Sequence, residues 1–294
     1  MANIHRLGDN NDQQNNYQNL GGNGRQQMIS IFGGIDADPR GENFFDMLKK
    51  SFCPRLKLIS FTTIVSAVII ILYITMLGVG GINKHDRFLS VYEKTLNDFG
   101  GNDPDDVKSN YEIFRWVTSL ILVGDFYNLV LAIFMILICY SILEATQGLN
   151  LTLIVFFGAG ACGALFGDLC NICKYRTYSE TFACIYACVG FLIGYIILYW
   201  KKLDSLGEMK CAVVCFVAIV VIFVMIFTFG SGQNNFYDNF GELGGFLGGL
   251  FIAMSLVQVP QSGEFEAICR KVGYGFLGVQ VGLSIILLYS LSCS

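Results

Sequence analysis

The chain has 294 residues, of which 54% are hydrophobic and only 14% are charged, and its formal net charge is −4. Ordinary soluble domains carry about 25% charged residues, so this composition excludes a typical soluble domain and indicates a helical protein that crosses the membrane several times. Membrane lipid is therefore an expected partner, whereas the small negative charge does not favour nucleic acid.

The N-terminal residues 1–43 form a polar arm that is rich in Asn, Gln, Gly and Asp. The arm has no apolar core behind a basic start, so it is not a signal peptide. It buries too little apolar surface to offset its ordering entropy, and we expect it to be disordered unless a partner orders it. A basic juxtamembrane segment, 44–57, follows the arm, and a membrane domain is predicted over 58–294.

Seven hydrophobic runs are long enough to be transmembrane helices, because about 20 apolar helical residues cross a bilayer core. In chain order they are 58–79, 116–143, 149–169, 181–199, 211–229, 240–257 and 272–291. A long polar first loop, 80–114, separates the first two runs. The sixth run is glycine-rich and the least hydrophobic of the seven. The predicted fold is an all-α membrane protein.

The distribution of basic residues between the loops predicts the orientation of the chain. With seven spans, most Lys and Arg residues fall on one side: ahead of the first helix, between the fourth and fifth, and at Arg270 and Lys271 before the seventh. We therefore expect the N-terminus to face the cytosol or its equivalent and the C-terminus to lie opposite.

The residue types that bind metals are arranged unfavourably for a metal site. Six of the eleven cysteines lie within apolar runs, where Cys packs as a small hydrophobic residue: Cys139, Cys162, Cys184, Cys188, Cys211 and Cys215. Cys170 and Cys173 form a single CxxC pair, which is a weak metal or disulfide signal without a second pair or a histidine. The two histidines, His5 and His85, lie outside the predicted spans. We expect no metal and no cofactor.

Motifs around the second and sixth helices carry a family resemblance. The run 114–118 places Arg115 and Thr118 before the second helix, and that helix ends with Glu144 followed by Gly148. Residues 238–249 then combine Asp-Asn with a series of small residues. In order and spacing, these motifs resemble the rhomboid family of intramembrane serine proteases over about residues 53–257. The resemblance implies a rhomboid-like bundle of six transmembrane helices plus a seventh, C-terminal helix.

The chain departs from the family at the positions that the resemblance implies are catalytic. The family's nucleophilic serine corresponds to Phe182, and the family's histidine corresponds to Glu242. Three other polar positions, expected in the second helix, correspond to Val123, Asn128 and Ala132. A serine protease needs a nucleophile, a base and oxyanion donors, so we expect no catalytic activity. The matching scaffold positions are retained: Arg115, Thr118, Glu144, Gly148, Gly245 and Gly249.

Cys162 lies in a Gly-Ala-Cys-Gly run that copies the family's nucleophile turn with Cys in place of Ser. It lies only 18 residues after Glu144, which places it inside the third helix. With no histidine in any span, nothing obvious would activate the thiol. We interpret Cys162 as a packing residue.

Ionisable residues within membrane spans are costly and usually have a role. We expect Glu144 to be hydrogen-bonded near the cytosolic end, and Asp168 to reach the membrane interface. Glu242 has two interpretations: a carboxyl bonded to a neighbouring helix, with Asp125 or Asn128 as its partner, or a polar contact for a client helix or a coupled proton. Asp168 alone does not supply the two facing aspartates of an aspartyl protease.

The glycines of the sixth helix recur at four-residue spacing, as do Gly190 and Gly194 in the fourth, which predicts close contact between these helices. The leading functional hypothesis is a non-catalytic rhomboid-like protein that binds the transmembrane helices of clients or partners, in trafficking, quality control or assembly. The alternative is a structural subunit of a larger membrane complex. A third hypothesis is an enzyme that uses Cys162 or Glu242. A transporter is disfavoured because no inverted repeat is visible.

Overall fold

The computed structural model describes residues 60–174, 176–203, 237–258 and 263–291, with a few helical positions between 211 and 222. The polar arm, the segment 44–57 and most of the predicted fifth helix lie outside these residues. Within the described part, six helices are long and apolar enough to cross a membrane. They correspond to the predicted first, second, third, fourth, sixth and seventh spans, so the all-α membrane architecture is confirmed.

The first span, α1 (Phe61–Gly80), begins where the Ser60 side chain accepts a hydrogen bond from the Thr63 backbone N–H. Val65, Ile69, Tyr73 and Met76 recur every three or four residues and are buried. This spacing places them on one helix face, and that face packs against the second span. The other residues of α1 are largely not covered by the rest of the bundle, as expected for a peripheral helix that faces lipid.

The first loop is an ordered layer of short helices: α2 (Glu93–Asp98), α3 (Pro104–Ser109) and α4 (Arg115–Thr118). The backbone of Asn102 pairs with that of Tyr178 through hydrogen bonds of 2.8 and 2.7 Å. Ser179 in turn forms a parallel bridge with Tyr237. Together the first loop, the connection 171–180 and residues 237–238 form one end of the bundle, which we call the loop-1 end.

The second apolar run is not one helix, contrary to the sequence prediction. After α4 comes a 3₁₀ turn, Ser119–Ile121, then an extended Leu122, and α5 (Phe126–Gln147) begins only after Asp125. The Asp125 side chain accepts a hydrogen bond from the Asn128 backbone N–H at 2.9 Å and so caps α5. The residues on both sides of this break are apolar, so the hydropathy pattern does not reveal the break.

Four helices complete the described bundle. The third span, α6 (Leu149–Cys170), contains a wider π-helical segment at Ile154–Ala159, and α7 (Thr181–Leu203) is the fourth span. The sixth predicted span is α8 (Asn239–Leu256). The last helix, α9 (Glu264–Ser290), begins eight residues earlier than predicted. Arg270 and Lys271 therefore lie inside α9 rather than before it, because Glu266 accepts a hydrogen bond from the Gly263 N–H and starts the helix there.

The glycines of α8 bring three helices into backbone contact. A methyl group at Gly245 would overlap the carbonyl of Ala183 in α7, and one at Gly249 would overlap the carbonyl of Ala187. Gly244 and Gly248 point instead towards α6, against Phe166 and Cys162. The predicted contact between the fourth and sixth helices is thus present, and the same glycine-rich helix also packs closely on the third.

Candidate functional site

Phe182, at the position that the resemblance assigns to the nucleophile, is the second residue of α7 and is only 5% exposed. Its ring packs edge-on against Tyr237, with centroids 5.0 Å apart and ring planes at 86°. Tyr237 is held there because residue 237 bridges to Ser179 at the loop-1 end. The benzyl group therefore fills the space at the start of α7 with apolar, close-packed atoms.

Glu242, at the position assigned to the histidine, lies in the first turn of α8 and is 6% exposed. Its spacing to Gly245 and Gly249 places it on the α8 face that packs on α7. Among the described residues, its Oε1 atom is buried without a hydrogen-bond partner. Burial raises the pKa of Tyr237 well above its usual range, and the Asp125 and Glu242 carboxylates raise it further. Phe182, Tyr237 and Glu242 are therefore one group, which we call the Phe182–Glu242 site.

The three other expected catalytic positions differ in where the structure places them. Val123 is buried in the extended break before α5, so its prediction as a helical residue is wrong. Ala132 is a buried core residue of α5. The Asn128 side chain donates to the Asp125 carboxylate, which is capping the same helix. Asp125 and Asn128 thus bind each other and are not hydrogen-bonded to Glu242, although Asn128 lies near enough to lower the pKa of Tyr237.

The hydroxyl and thiol groups nearest in sequence to Phe182 are engaged elsewhere. Ser179 and Thr181 both donate to the carbonyl of Leu122, Thr181 at 2.6 Å. Cys184 donates to the carbonyl of Phe156 at 3.4 Å. Cys162 packs against Gly248, which lies about 9 Å along α8 from Glu242 at 1.5 Å per residue. Within the described residues, no hydroxyl or thiol is hydrogen-bonded to the Glu242 carboxyl.

Arg115 binds several groups of the first loop. Its guanidinium donates to the carbonyl of Gly101 at 2.7 Å and to the Asn97 side chain at 2.6 Å, and it forms ion pairs with Asp106 and Glu112. The rigid fork of five N–H donors explains how one side chain can satisfy four groups. Nearby, Thr118 donates to the carbonyl of Gly100 at 2.6 Å.

Glu144 and Gly148 stabilise the opposite end of the bundle. The Glu144 carboxylate accepts hydrogen bonds from the Phe61 backbone N–H at 3.1 Å and from the Thr62 hydroxyl at 2.9 Å, and thereby holds the start of α1 against the end of α5. Gly148 ends α5 with a φ of +79°, a backbone conformation that favours glycine.

A second polar feature at the loop-1 end was missed by sequence reasoning. Asp168, Glu180 and Asp238 are each at most 4% exposed and lie on three separate elements, and we call them the acid cluster. Asp168 is fully buried, and it accepts hydrogen bonds from Asn102 Nδ2 at 2.7 Å and from Trp116 Nε1 at 2.6 Å inside the protein. The three acids are far apart in sequence, and the packing of α6, α7 and α8 together with the first loop brings them close to one another.

The cysteine pair and the carboxyl groups do not form a recognisable metal site. Within the described residues, no group of three or more His, Cys, Asp and Glu side chains has an arrangement that would hold a metal ion. Cys170 is free and exposed, whereas Cys173 is in a disulfide. The CxxC pair therefore does not bridge to itself.

Six apolar helices, a glycine-packed interior and buried polar groups at one end define an all-α, multi-pass integral membrane protein. Comparison with protein families identifies a Rhomboid domain at residues 110–259. This match covers about half of the chain, and the chain belongs to the rhomboid family. A comparison with curated proteins gave no match.

Proposed function

We propose that the chain is a non-catalytic rhomboid protein that binds transmembrane helices of client or partner proteins. The observation that carries this proposal is the Phe182–Glu242 site, where an aromatic ring and a carboxyl group lie at the positions assigned to the serine and the histidine. Phenylalanine has no nucleophilic atom, and a base has no function in acyl transfer without a nucleophile within reach.

The chemistry of Glu242 supports the binding part of the proposal. A buried carboxyl oxygen without a partner is costly in a membrane protein and is usually retained for function. A client helix that carries a hydrogen-bond donor, such as an amide, a hydroxyl or a basic group, would satisfy this oxygen. Such a donor would itself be costly in lipid, so both partners gain from the contact.

The orientation of the bundle belongs to the same proposal. Disulfides persist in oxidising compartments, and Cys173 lies at the loop-1 end. We therefore assign the loop-1 end to the lumenal or extracellular side, which agrees with a cytosolic N-terminus.

Site-specific photo-crosslinking tests the binding proposal. A benzophenone amino acid replaces Phe240, which is 43% exposed and lies two residues before Glu242 in the first turn of α8, and the matched control replaces Phe276, which is 53% exposed on α9. We expect crosslinks from position 240 to membrane-spanning proteins in the cell's own membranes. Glu242→Ala should weaken them several-fold, and Glu242→Gln, which retains hydrogen-bonding capacity, should weaken them less.

Labelling by an activity probe tests the non-catalytic part separately. We expect no reaction of the reconstituted protein with a fluorophosphonate or a chloromethylketone. Labelling that is lost in Glu242→Gln while Phe182 is retained would show instead that the chain is an enzyme.

The exposure of α9 favours a second candidate, a structural subunit of a larger membrane complex. Only 17% of the apolar stretch of α9 that could span a membrane is buried, against 72% of the corresponding stretch of α7. If crosslinks arise at position 276 and not at 240, and join the chain to the same few proteins at fixed ratio, this second function is the correct one.

A further inference from the structure

The acid cluster places two carboxyl groups, those of Asp168 and Glu180, against the Asn102 side chain of the first loop, and a third, that of Asp238, beside the helix that carries Asp168. Asn102 Nδ2 donates to Asp168 Oδ1 at 2.7 Å and lies 3.3 Å from Glu180 Oε1. Asp238 caps the start of α8 through Oδ1, which accepts from the Phe240 N–H at 3.0 Å, and its Oδ2 lies against Gly167, next to Asp168. The cluster thus joins the first loop to the ends of α6, α7 and α8.

This arrangement contains too few hydrogen-bond donors. Asp238 Oδ2 and Asn102 Oδ1 are both buried acceptors without a partner among the described residues, and Asn102 is fully buried. The Asn171 side chain, which acts on Asp238, offers one buried donor, Nδ2, that is itself unpaired among these residues, so one donor faces two acceptors. An ionised carboxyl only accepts hydrogen bonds, whereas a protonated one also donates. Unpaired acceptors beside several carboxyl groups therefore indicate that protons are the missing donors.

The groups around the cluster supply little compensating positive charge. The positive charge that acts on Asp238 is that of Lys174, which also donates to the Asn171 side chain at 2.8 Å. The titratable and charged groups that act on the cluster come from the first loop, the connection 171–180 and the ends of α6, α7, α8 and α9 at this side: Asp103, Cys170, Lys174, Arg176, Tyr178, Cys184, Glu242 and Tyr289.

Glu180 and Asp238 lie outside the membrane-spanning segments, and the pKa of each is raised. Burial raises the pKa of Glu180 well above its usual range, and the charges of Asp238 and Asp168 raise it further. Burial also raises the pKa of Asp238, although the Asn171 amide and the first N–H groups of α8 lower it. A raised carboxyl pKa means that the folded arrangement is stabilised at low pH, and that this stabilisation is lost as the pH rises through the raised pKa.

We propose that Asp168, Glu180 and Asp238 hold at least one shared proton near neutral pH, and that its release loosens the first loop from the ends of α6, α7 and α8. Once ionised, the carboxylates repel one another across a buried space, and Asn102 alone cannot bridge them. The loop-1 end is thus closed in an acidic compartment and looser in a neutral or alkaline one. This inference concerns the scaffold and does not depend on client binding.

Trp116 is a built-in reporter, because its indole N–H donates to Asp168 and the chain has only one other tryptophan, Trp200. In a Trp200→Phe background in nanodiscs, we expect Trp116 fluorescence to titrate between about pH 5 and about pH 8. Glu180→Gln and Asp238→Asn each remove one like charge and should lower the midpoint by about one pH unit or more. Asp98→Asn, at an exposed first-loop carboxyl, is the matched control and should leave it unchanged.

Hydrogen exchange at the Asn102 amide, which donates to the Tyr178 carbonyl, provides an independent measurement. After correction for intrinsic exchange, its protection factor should fall about tenfold per pH unit for each proton released. Protection that is independent of pH in the parent protein would overturn the proposal even if the variants fail to fold. A midpoint that is the same in the parent and in both cluster variants would overturn it as well.

Discussion

Helices α8 and α9 both carry glycines at helical spacing, yet only those of α8 are in close contact along their length. In α8, Gly245 and Gly249 lie directly against backbone carbonyls of α7. In α9, Gly275, Gly278 and Gly282 have no atom of the described residues within 4 Å of the position where a methyl group would be added. Glycine spacing therefore indicates that a close approach is possible, and the neighbouring helix decides whether it occurs.

The largest expected effect is that of Gly249→Ala. The added methyl group would overlap the Ala187 carbonyl, which is backbone and cannot rotate away. Overpacking of this kind costs about 1–3 kcal/mol. Thermal unfolding in detergent should show a clearly lower midpoint, and a midpoint equal to that of the parent would show that α7 and α8 are not in backbone contact.

Gly273→Ala should have an intermediate effect, since Gly273 is the α9 glycine that contacts α8. Its added methyl group would meet the Ser255 hydroxyl, which now donates to the Phe251 carbonyl at 2.6 Å and can turn away only by breaking that bond. It would also lie 2.9 Å from the Phe251 carbonyl oxygen, a milder backbone contact than the one at Gly249. We expect a loss of about 1 kcal/mol. In the same assay, a loss as large as that of Gly249→Ala would indicate that α9 is packed as rigidly as α7.

Gly278→Ala is the matched control on the open face of α9. With no neighbour to clash, alanine should leave stability unchanged or raise it by up to about 1 kcal/mol through its higher helix propensity. Destabilisation measured only in native membranes, and not in detergent, would reveal a partner helix on this face and would favour the structural-subunit function.

Glu242→Met should have the smallest effect on stability. Replacement of an unpaired buried acid by an apolar side chain of similar length is often neutral or stabilising. We therefore expect an unfolding midpoint at or above that of the parent, together with weaker crosslinks from position 240. A marked loss of stability would show that Glu242 has a structural hydrogen-bonding role, as the first interpretation of this residue holds.

The sequence predicted the membrane spans well, because hydrophobic residues are continuous along each span. Six spans were placed within a few residues, except for the starts of α5 and α9, because bilayer thickness demands long apolar runs whatever their neighbours are. The break before α5 was missed because hydropathy does not report the backbone: Leu122 is as apolar in an extended segment as in a helix. The capping pair Asp125 and Asn128 was the local signal that could have revealed it.

In the candidate site, too, some features were predicted from the sequence and others were not. Phe182 and Glu242 were singled out through the resemblance to the rhomboid family. The structure packs Phe182 against Tyr237 and places the Glu242 carboxylate near enough to raise the pKa of Tyr237, a grouping that no sequence pattern indicated. Of the acid cluster, only Asp168 had been examined as an ionisable residue, and its burial was not foreseen. Asp168 and Glu180 meet through Asn102, and Asp238 lies against Gly167, next to Asp168.

Composition and hydropathy were thus sufficient for the membrane class and for most of the spans, and short motifs carried the family resemblance, since each of these depends on residues that are near in sequence. The depth of burial of each carboxyl, the close contact of α8 with two helices and the open face of α9 depend on residues that are distant in the chain. Burial and pairing are properties of the space between elements, and only the folded arrangement of the first loop and the helices defines that space.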